Sequence, residues 1–422
     1  MTFDDVLKKN GNIGPGFDVL RLGLSVAILL SHSVQVVHGK TDELWDGPFA
    51  RLSMCLVPAF FALSGFLVMG SAIRTASIGK FIWFRILRIF PALSTEVTLT
   101  AIVIGPLATS LGLSEYFRTA GFWAYFENII GNTHYYIPGV FETLPFHVVN
   151  GSIWTIQPEI FCYLWLSYLM LTGGYKKPLI YVSLAVCWTI VTASIDVMTD
   201  ARTEITTGPE EQFRLFTLFV VGGAFYHFRN VIRYDLRLMI GSAIAVAMLI
   251  AIPGWRSLAV VPLTYVVMFL GLTPLQLPKF LRNGDYSYGV YLYAYPIQQL
   301  VCLWFPDHRV WWWNAMLSLP LAFAAAWLSW HFVEKPMLRF KKLGDALDDI
   351  KLLNSAGGIV GAALLVCSYA FILVNWSSLF FRLDISARAN FGAFAAIILV
   401  LAVAAGLLGN SRSRPPLVQT VR

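Results

Sequence analysis

The chain has 422 residues, of which 57% are hydrophobic, 15% aromatic and only 13% charged, with a mean hydropathy of +0.66 and a formal net charge of +7. That balance excludes a water-soluble globule of ordinary make-up and indicates a polytopic membrane protein. The excess of positive charge does not call for nucleic acid, because no basic region stands free of the apolar segments; membrane topology and anionic headgroups account for it.

A helical span needs about 20 mainly apolar residues to cross a hydrocarbon core of about 30 Å. In chain order such segments fall near 17–38, 52–72, 90–112, 152–172, 178–197, 213–228, 238–252, 257–272, 286–305 and 311–332, and two more near 357–376 and 391–408. The expected fold is all-α, a helical bundle of about ten spans with two further C-terminal ones. A basic connection near 334–356 separates the two groups. With the N-terminus in the cytoplasm, most of the 31 Lys and Arg residues collect on one side, among them Lys8, Arg74, Lys176, Arg229, Lys335 and Lys342, as the positive-inside rule requires. The first apolar segment is a full span without a convincing cleavage site and is read as an uncleaved signal anchor.

The first span carries Arg21 and, eleven residues on, His32. At 3.6 residues per turn they share a face about 16 Å apart, so His32 sits near mid-membrane. There it either hydrogen-bonds a neighbouring helix or acts as a general base. In FRILRIFPAL, Arg85 and Arg88 lie one turn apart before Pro91. They either mark the cytoplasmic side or bind phosphate through their planar forks. In NGSIWTIQPEIFCYLWL, Glu159 follows the start of an aromatic span that enters from outside, at about 12 Å depth, close to the level expected for His32. It is expected either to pair with His32, fixing its tautomer, or to pair with an arginine.

The five cysteines (Cys55, Cys162, Cys187, Cys302, Cys367) fall inside expected spans without metal-ligand spacing and read as small core residues. No metal is expected. The remaining histidines lie near span ends, and the Trp311-Trp312-Trp313 run reads as an interfacial belt.

Arg21 and His32, FFALSGFLV at 60–68, Arg85/Arg88/Pro91, SIWTIQPEIFCY at 152–163, SYGVYLYAYPIQQ at 287–299 and HFVEKP at 331–336 occur in the order seen in acyltransferase family 3, which the chain resembles over roughly residues 16–336. The resemblance implies a membrane O-acyltransferase in the bacterial inner (plasma) membrane, with a transmembrane domain over 1–336 and a C-terminal part over 337–422. It would move an acyl group, acetyl being the expected one, from cytoplasmic acyl-CoA as co-substrate to a hydroxyl of a cell-surface or lipid-linked polysaccharide. No cofactor would be bound. His32 would be the catalytic base and Glu159 its carboxylate, with acyl-histidine formation as the competing route. Arg21, Arg85 and Arg88 would hold the acyl-CoA phosphates, and Ser64, Trp154, Tyr288 and Tyr291 would support the site or face the acceptor. Two departures stand out: Ala294 occupies a position where many members carry histidine, and no fused extracytoplasmic hydrolase-like domain follows, so a separate extracytoplasmic partner stays open. The alternative is a secondary transporter or flippase of a lipid-linked or small polar substrate. That reading predicts related halves around a midplane site, which the sequence does not display.

Overall fold

The computed structural model describes residues 1–39, 50–198, 209–278 and 281–348. The expected spans near 357–376 and 391–408, together with Cys367, lie outside the described residues. A short amphipathic helix, α1 (Phe3–Lys9), is capped by Thr2 and Asp5 and docks by the ion pair of Asp4 with Arg229 at 2.9 Å. It leads into α2 (Phe17–His38), α3 (Ala50–Thr75) and α4 (Ile78–Leu99). There follow α5 (Ile156–Thr172), α6 (Pro178–Met198), α7 (Pro209–His227), α8 (Leu236–Ala251), α9 (Val260–Leu272), α10 (Ser287–Trp304) and α11 (Trp311–Ser329). The described residues contain no strand, only two isolated bridges. Five helical stretches are long and apolar enough to cross a membrane: Phe17–His38, Arg51–Thr75, Ile78–Ala108, Pro178–Val197 and Trp311–Asp345. The protein is therefore a polytopic helical membrane protein, in which shorter or more polar helices complete the bundle.

The third span differs from the expected 90–112. Its helix begins at Ile78, where the Ser77 hydroxyl accepts from the Lys80 N–H, and continues through a π-helical turn at Thr100–Ile104 to Ala108. Hydropathy alone places the start too late because it excludes Lys80, Arg85 and Arg88. Inside the bundle these cations have company: Arg88 pairs with Asp285, and Arg85 lies over the Phe81 and Tyr163 rings at 5.6 Å. Pro91 sits within this helix rather than at its start.

The most extensive helix pairing is α3 with α7, and glycines permit it. A Cβ on Gly65 would stand 2.0 Å from the Phe219 carbonyl oxygen, and one on Gly222 would stand 2.1 Å from that of Ala62. Association inside lipid relies on such close backbone approach because burial of apolar surface offers no advantage over lipid contact. A buried ionic network closes the far end of the same region. Arg214 binds Asp196 at 2.6 Å and also Glu211, Arg256 reaches Glu211 at 3.3 Å, and the Ser257 N–H donates to Asp196 at 2.7 Å. Two acids and two bases leave no net charge, which is how ionised groups persist at this depth. On the other side of the bundle, α10 packs against both α2 and α11. Gly289 of α10 meets Ala326 of α11 so closely that a Cβ would stand 2.8 Å from its Cα.

Gly65→Ala should overpack the α3–α7 contact at a cost of about 1–3 kcal/mol. Its melting midpoint in detergent should fall by several degrees. Gly241→Ala, where a Cβ meets nothing within 4 Å, should match wild type.

Candidate functional site

A cavity of about 140 Å³ opens where α2, α3, α4, α5 and α10 converge. Arg21 lines it from α2, Phe60 and Ser64 from α3, Arg85 and Arg88 from α4, Thr155 and Glu159 from the start of α5, and Tyr288 and Tyr291 from α10. Four side chains from three separate helices, Arg21, Arg85, Arg88 and Glu159, thus share one chamber. Asp285, just before α10, joins two of them, Arg21 and Arg88. Its Oδ2 accepts from Arg21 Nη1 at 2.9 Å and pairs with Arg88 Nη2 at 2.9 Å, while its Oδ1 accepts from the Ser287 hydroxyl at 2.7 Å. Burial by itself would raise the Asp285 carboxyl, but Arg88 and then Arg21 outweigh it and hold it well below the ordinary carboxylate range. Ser25 of α2 donates to the Ser287 carbonyl at 2.7 Å, so α2 and α10 are tied at the same level.

The three arginines are not equivalent. Arg21 and Arg88 already have a carboxylate, and Arg88 also lies over the Tyr288 ring at 5.5 Å. Among the described residues Arg85 has no ion pair: one Nη donates to Ser71 at 3.4 Å, and its Nε is buried without a partner. Of the three, Arg85 alone lines the cavity without a carboxylate partner among the described residues.

Glu159 and His32 are not brought together. Glu159 accepts a hydrogen bond from Tyr163, and the charges acting on it are Arg88, Arg85 and Arg21. The expectation that Glu159 reaches only the level of His32 assumes a helix starting at the membrane surface. Instead the chain enters the bundle as irregular backbone, with Asn150 and Ser152 fully buried, and α5 begins only at Ile156. Glu159 is therefore carried deeper, to the arginines.

Irregular backbone is tolerated at such depth only where protein groups satisfy it. Gln299 donates to the Phe146 and Val148 carbonyls at 2.7 and 2.5 Å, and Asn150 donates to the Leu292 carbonyl at 3.1 Å and accepts from the Ser152 N–H at 2.9 Å. The second Asn150 donor bond goes to Glu96 Oε1 at 2.9 Å, which also receives Thr100 Oγ1 at 2.8 Å. Glu96 Oε2 is buried and unpartnered. The Gln298 amide likewise donates to the Leu29 carbonyl at 2.7 Å and Ser33 Oγ at 2.6 Å, so the two glutamines hold backbone and α2 through their NH2 groups, while the Oε1 of each is buried without a partner.

His32 lies just beyond the cavity. Its ring meets Tyr295 edge-on at 5.0 Å between centroids, and its Nδ1 is buried with no hydrogen-bond partner. Tyr295 follows Tyr291 by four residues, about 6 Å along α10. Tyr291 roofs the cavity: its hydroxyl donates to the Ser152 carbonyl at 2.9 Å and lies 2.8 Å from Thr155 Oγ1. The chamber therefore ends one helical turn short of the histidine. Tyr288 donates to the Ile89 carbonyl at 3.3 Å, Ser64 faces the cavity, and Trp154 is buried in the core away from it. Ala294 packs among Leu22, Leu29 and Val290 against α2 and α11. Among the described residues no three His, Cys, Asp or Glu side chains cluster to hold a metal ion.

Sequence reasoning missed Asp285, Glu96 and Glu334. Glu334 is a buried acid that accepts from Ser329 at 3.1 Å and acts on Arg88. A signal existed for Glu96, a lone carboxylate within an apolar span. Asp285 and Glu334 sit beside basic residues at span ends, where acids are unremarkable.

A family model described as an acyltransferase domain matches residues 15–331. Among curated proteins, the chain is 26% identical to an O-acetyl transferase of Shigella phage Sf6, over 76% of this chain and 95% of the relative. It is also 26% identical to Nodulation protein 10 of Rhizobium leguminosarum bv. viciae, over 77% of this chain and 93% of the relative. No solved structure matches.

Replacing Asp285 by Asn should leave Arg21 and Arg88 facing each other without the carboxylate they share, Arg21 keeping only the exposed Asp18 at 3.7 Å. The loss is expected at about 2–3 kcal/mol, short of the figure for a fully buried pair because about a quarter of each side chain is exposed. A carboxyl held below its unfolded value contributes stability above that value and loses it as pH falls. The melting difference between wild type and Asp285→Asn should therefore be constant from about pH 8 to 5, begin to shrink only below about pH 4, and go on shrinking towards the lower value of the folded carboxyl. Glu96→Ala strips Thr100 and Asn150 of their shared acceptor and should lower both stability and activity. Glu96→Gln keeps an acceptor oxygen and should restore most of the stability, read by the same melts.

Proposed function

The chain belongs to the acyltransferase family whose domain it matches, and on that premise we propose that it moves an acyl group, acetyl first, from cytoplasmic acyl-CoA to a hydroxyl of a surface or lipid-linked polysaccharide. The enzyme reading displaces the transporter alternative because an acyltransferase family covers the bundle and one relative is named for O-acetyl transfer. The proposed setting is the bacterial inner membrane, with the N-terminus and the Arg21 end of the bundle in the cytoplasm.

One observation carries the proposal: a cavity with three arginines at one end and a tyrosine roof at the other stops one turn below a histidine whose Nδ1 has no partner. Thioester donors are long, narrow and anionic at one end, which suits such a chamber. Arg85 is the natural contact for the pyrophosphate, with Arg21 and Arg88 adding field rather than free donors. The acyl end would reach up towards Tyr291 and the acceptor hydroxyl would approach from the other side. His32 takes the hydroxyl proton as the oxygen attacks the thioester carbonyl; the C–S bond then breaks, and the proton passes to the departing thiolate. Because Glu159 sits with the arginines, the carboxylate that steadies His32 is not assigned to it. Glu159 instead balances the cationic cluster and holds Tyr163.

In a reconstituted assay with acetyl-CoA and the glycan of the producing cell, His32→Ala should lose transfer by at least about a hundredfold. Its affinity for coenzyme A should be unchanged. Arg85→Ala should weaken that affinity by about tenfold or more, since a charge-assisted contact is worth about 1.5–3 kcal/mol. Arg85→Lys should recover part of it. Normal transfer by His32→Ala would remove the histidine from the chemistry.

A further inference from the structure

A second concavity lies at the Arg21 end of the bundle, outside the cavity described above. It is a groove of about 470 Å³ bordered by His331, Lys335 and Arg339, spaced four residues apart. The backbone makes a π-helical turn at Trp330–Glu334 and then a short helix at Lys335–Met337. Lys335 and Arg339 are exposed, and neither has an ion-pair partner among the described residues. This sets them apart from Arg21 and Arg88, which share Asp285, and from Lys80, which pairs with Asp345. The groove and the chamber share no lining residue, but the groove lies on the Asp285 side of the chamber. His331 stacks 6.2 Å from Tyr286, the neighbour of Asp285, and lies 4.4 Å from Trp327, while buried Glu334 acts on Arg88. The following segment is pinned across the start of α4, where Trp83 Nε1 donates to the Phe340 carbonyl at 2.8 Å.

We propose that this groove holds the nucleotide end of the acyl-CoA donor, with Lys335 and Arg339 binding its 3′-phosphate; the inference rests on the acyl-CoA reading above. Lining supports the division. The chamber is walled largely by apolar and aromatic side chains around Arg85, whereas the groove is an open concavity bordered by His331, Lys335 and Arg339. Charge supports it as well. A phosphate monoester is close to dianionic at neutral pH, and two unpaired cations match it, while the chamber retains a single unpaired arginine for the pyrophosphate. His331, held by Trp327 and Tyr286, forms the edge of the groove nearest Asp285.

The test uses full-length protein in detergent, with binding of coenzyme A and of dephospho-coenzyme A, which lacks only the 3′-phosphate, measured by titration calorimetry. Wild type should prefer coenzyme A by about tenfold or more. The double variant Lys335→Gln, Arg339→Gln should lose that preference and keep wild-type affinity for dephospho-coenzyme A, which also certifies its fold. Arg85→Ala should weaken both ligands alike. If the double variant kept the preference, the groove would not be the phosphate site, and the donor reading would stand without it. If wild type bound neither ligand, the donor reading itself would fail, and the groove assignment with it. An unchanged preference, with loss of the thermal stabilisation given by phosphatidylglycerol vesicles, would overturn the proposal and make the groove a lipid-headgroup site.

Discussion

Backbone that is not helical has to find hydrogen bonds inside a bundle from which water is excluded, and the stretch from Phe146 to Ser152 is where this protein meets that demand. Gln299 and Asn150 supply most of the partners, and Glu96 and Thr100 secure Asn150 in turn. Because the stretch can be buried, α5 starts inside the bundle instead of at its surface. Glu159 reaches the arginine level, Thr155 meets Tyr291, and Gly151 gives room to Tyr295, against which a Cβ there would stand 2.5 Å away. Tyr295 in turn rests on His32. Chamber, roof and histidine thus inherit their spacing from one satisfied length of irregular chain.

The charges are arranged on a similar economy. In each of two places an acid neutralises two bases or is shared among them: Asp285 between Arg21 and Arg88, and Glu211 with Asp196 around Arg214 and Arg256. The second set is a closed, fully buried network with nothing left over, suited to holding α6, α7 and the chain before α9 together. The first is open. Arg85 retains a buried Nε without a partner, and α10 begins on the acid that ties its two neighbours. An arrangement that leaves donors free costs stability, and such sites are where ligands are expected.

The two π-helical turns fall where α4 and α11 carry buried acids, at Thr100–Ile104 after Glu96 and at Trp330–Glu334. Thr100 bonds Glu96 directly, and Ser329 bonds Glu334 from the residue before the second turn. Widened turns of this kind reorient side chains without ending the helix. Here they let long helices carry an inward carboxylate and still continue across the bundle.

Ten of the eleven helices named above fall on apolar segments read from the sequence, five of them long and apolar enough to cross a membrane, because crossing a hydrocarbon core imposes a run of that size whatever the residues pack against. The residues of the chamber were legible too, since Arg21, Arg85, Arg88 and Glu159 are ionisable groups in or beside apolar runs, where each carries a cost that asks for a reason. What the sequence could not decide was depth and pairing. Hydropathy started α4 twelve residues late, because it treats a cation as a boundary and cannot see the ring or carboxylate that receives it. Counting along a presumed surface-to-surface helix put Glu159 beside His32, when an interior start moves it to the arginines. Asp285 was passed over because an acid near a span end is ordinary in sequence. Only the convergence of α2, α4 and α10, some 200 to 260 residues apart in the chain, makes it the shared partner of two guanidiniums. Composition determines that the chain must span a membrane; which buried charge answers which is set by long-range packing, and that information is in the tertiary structure alone.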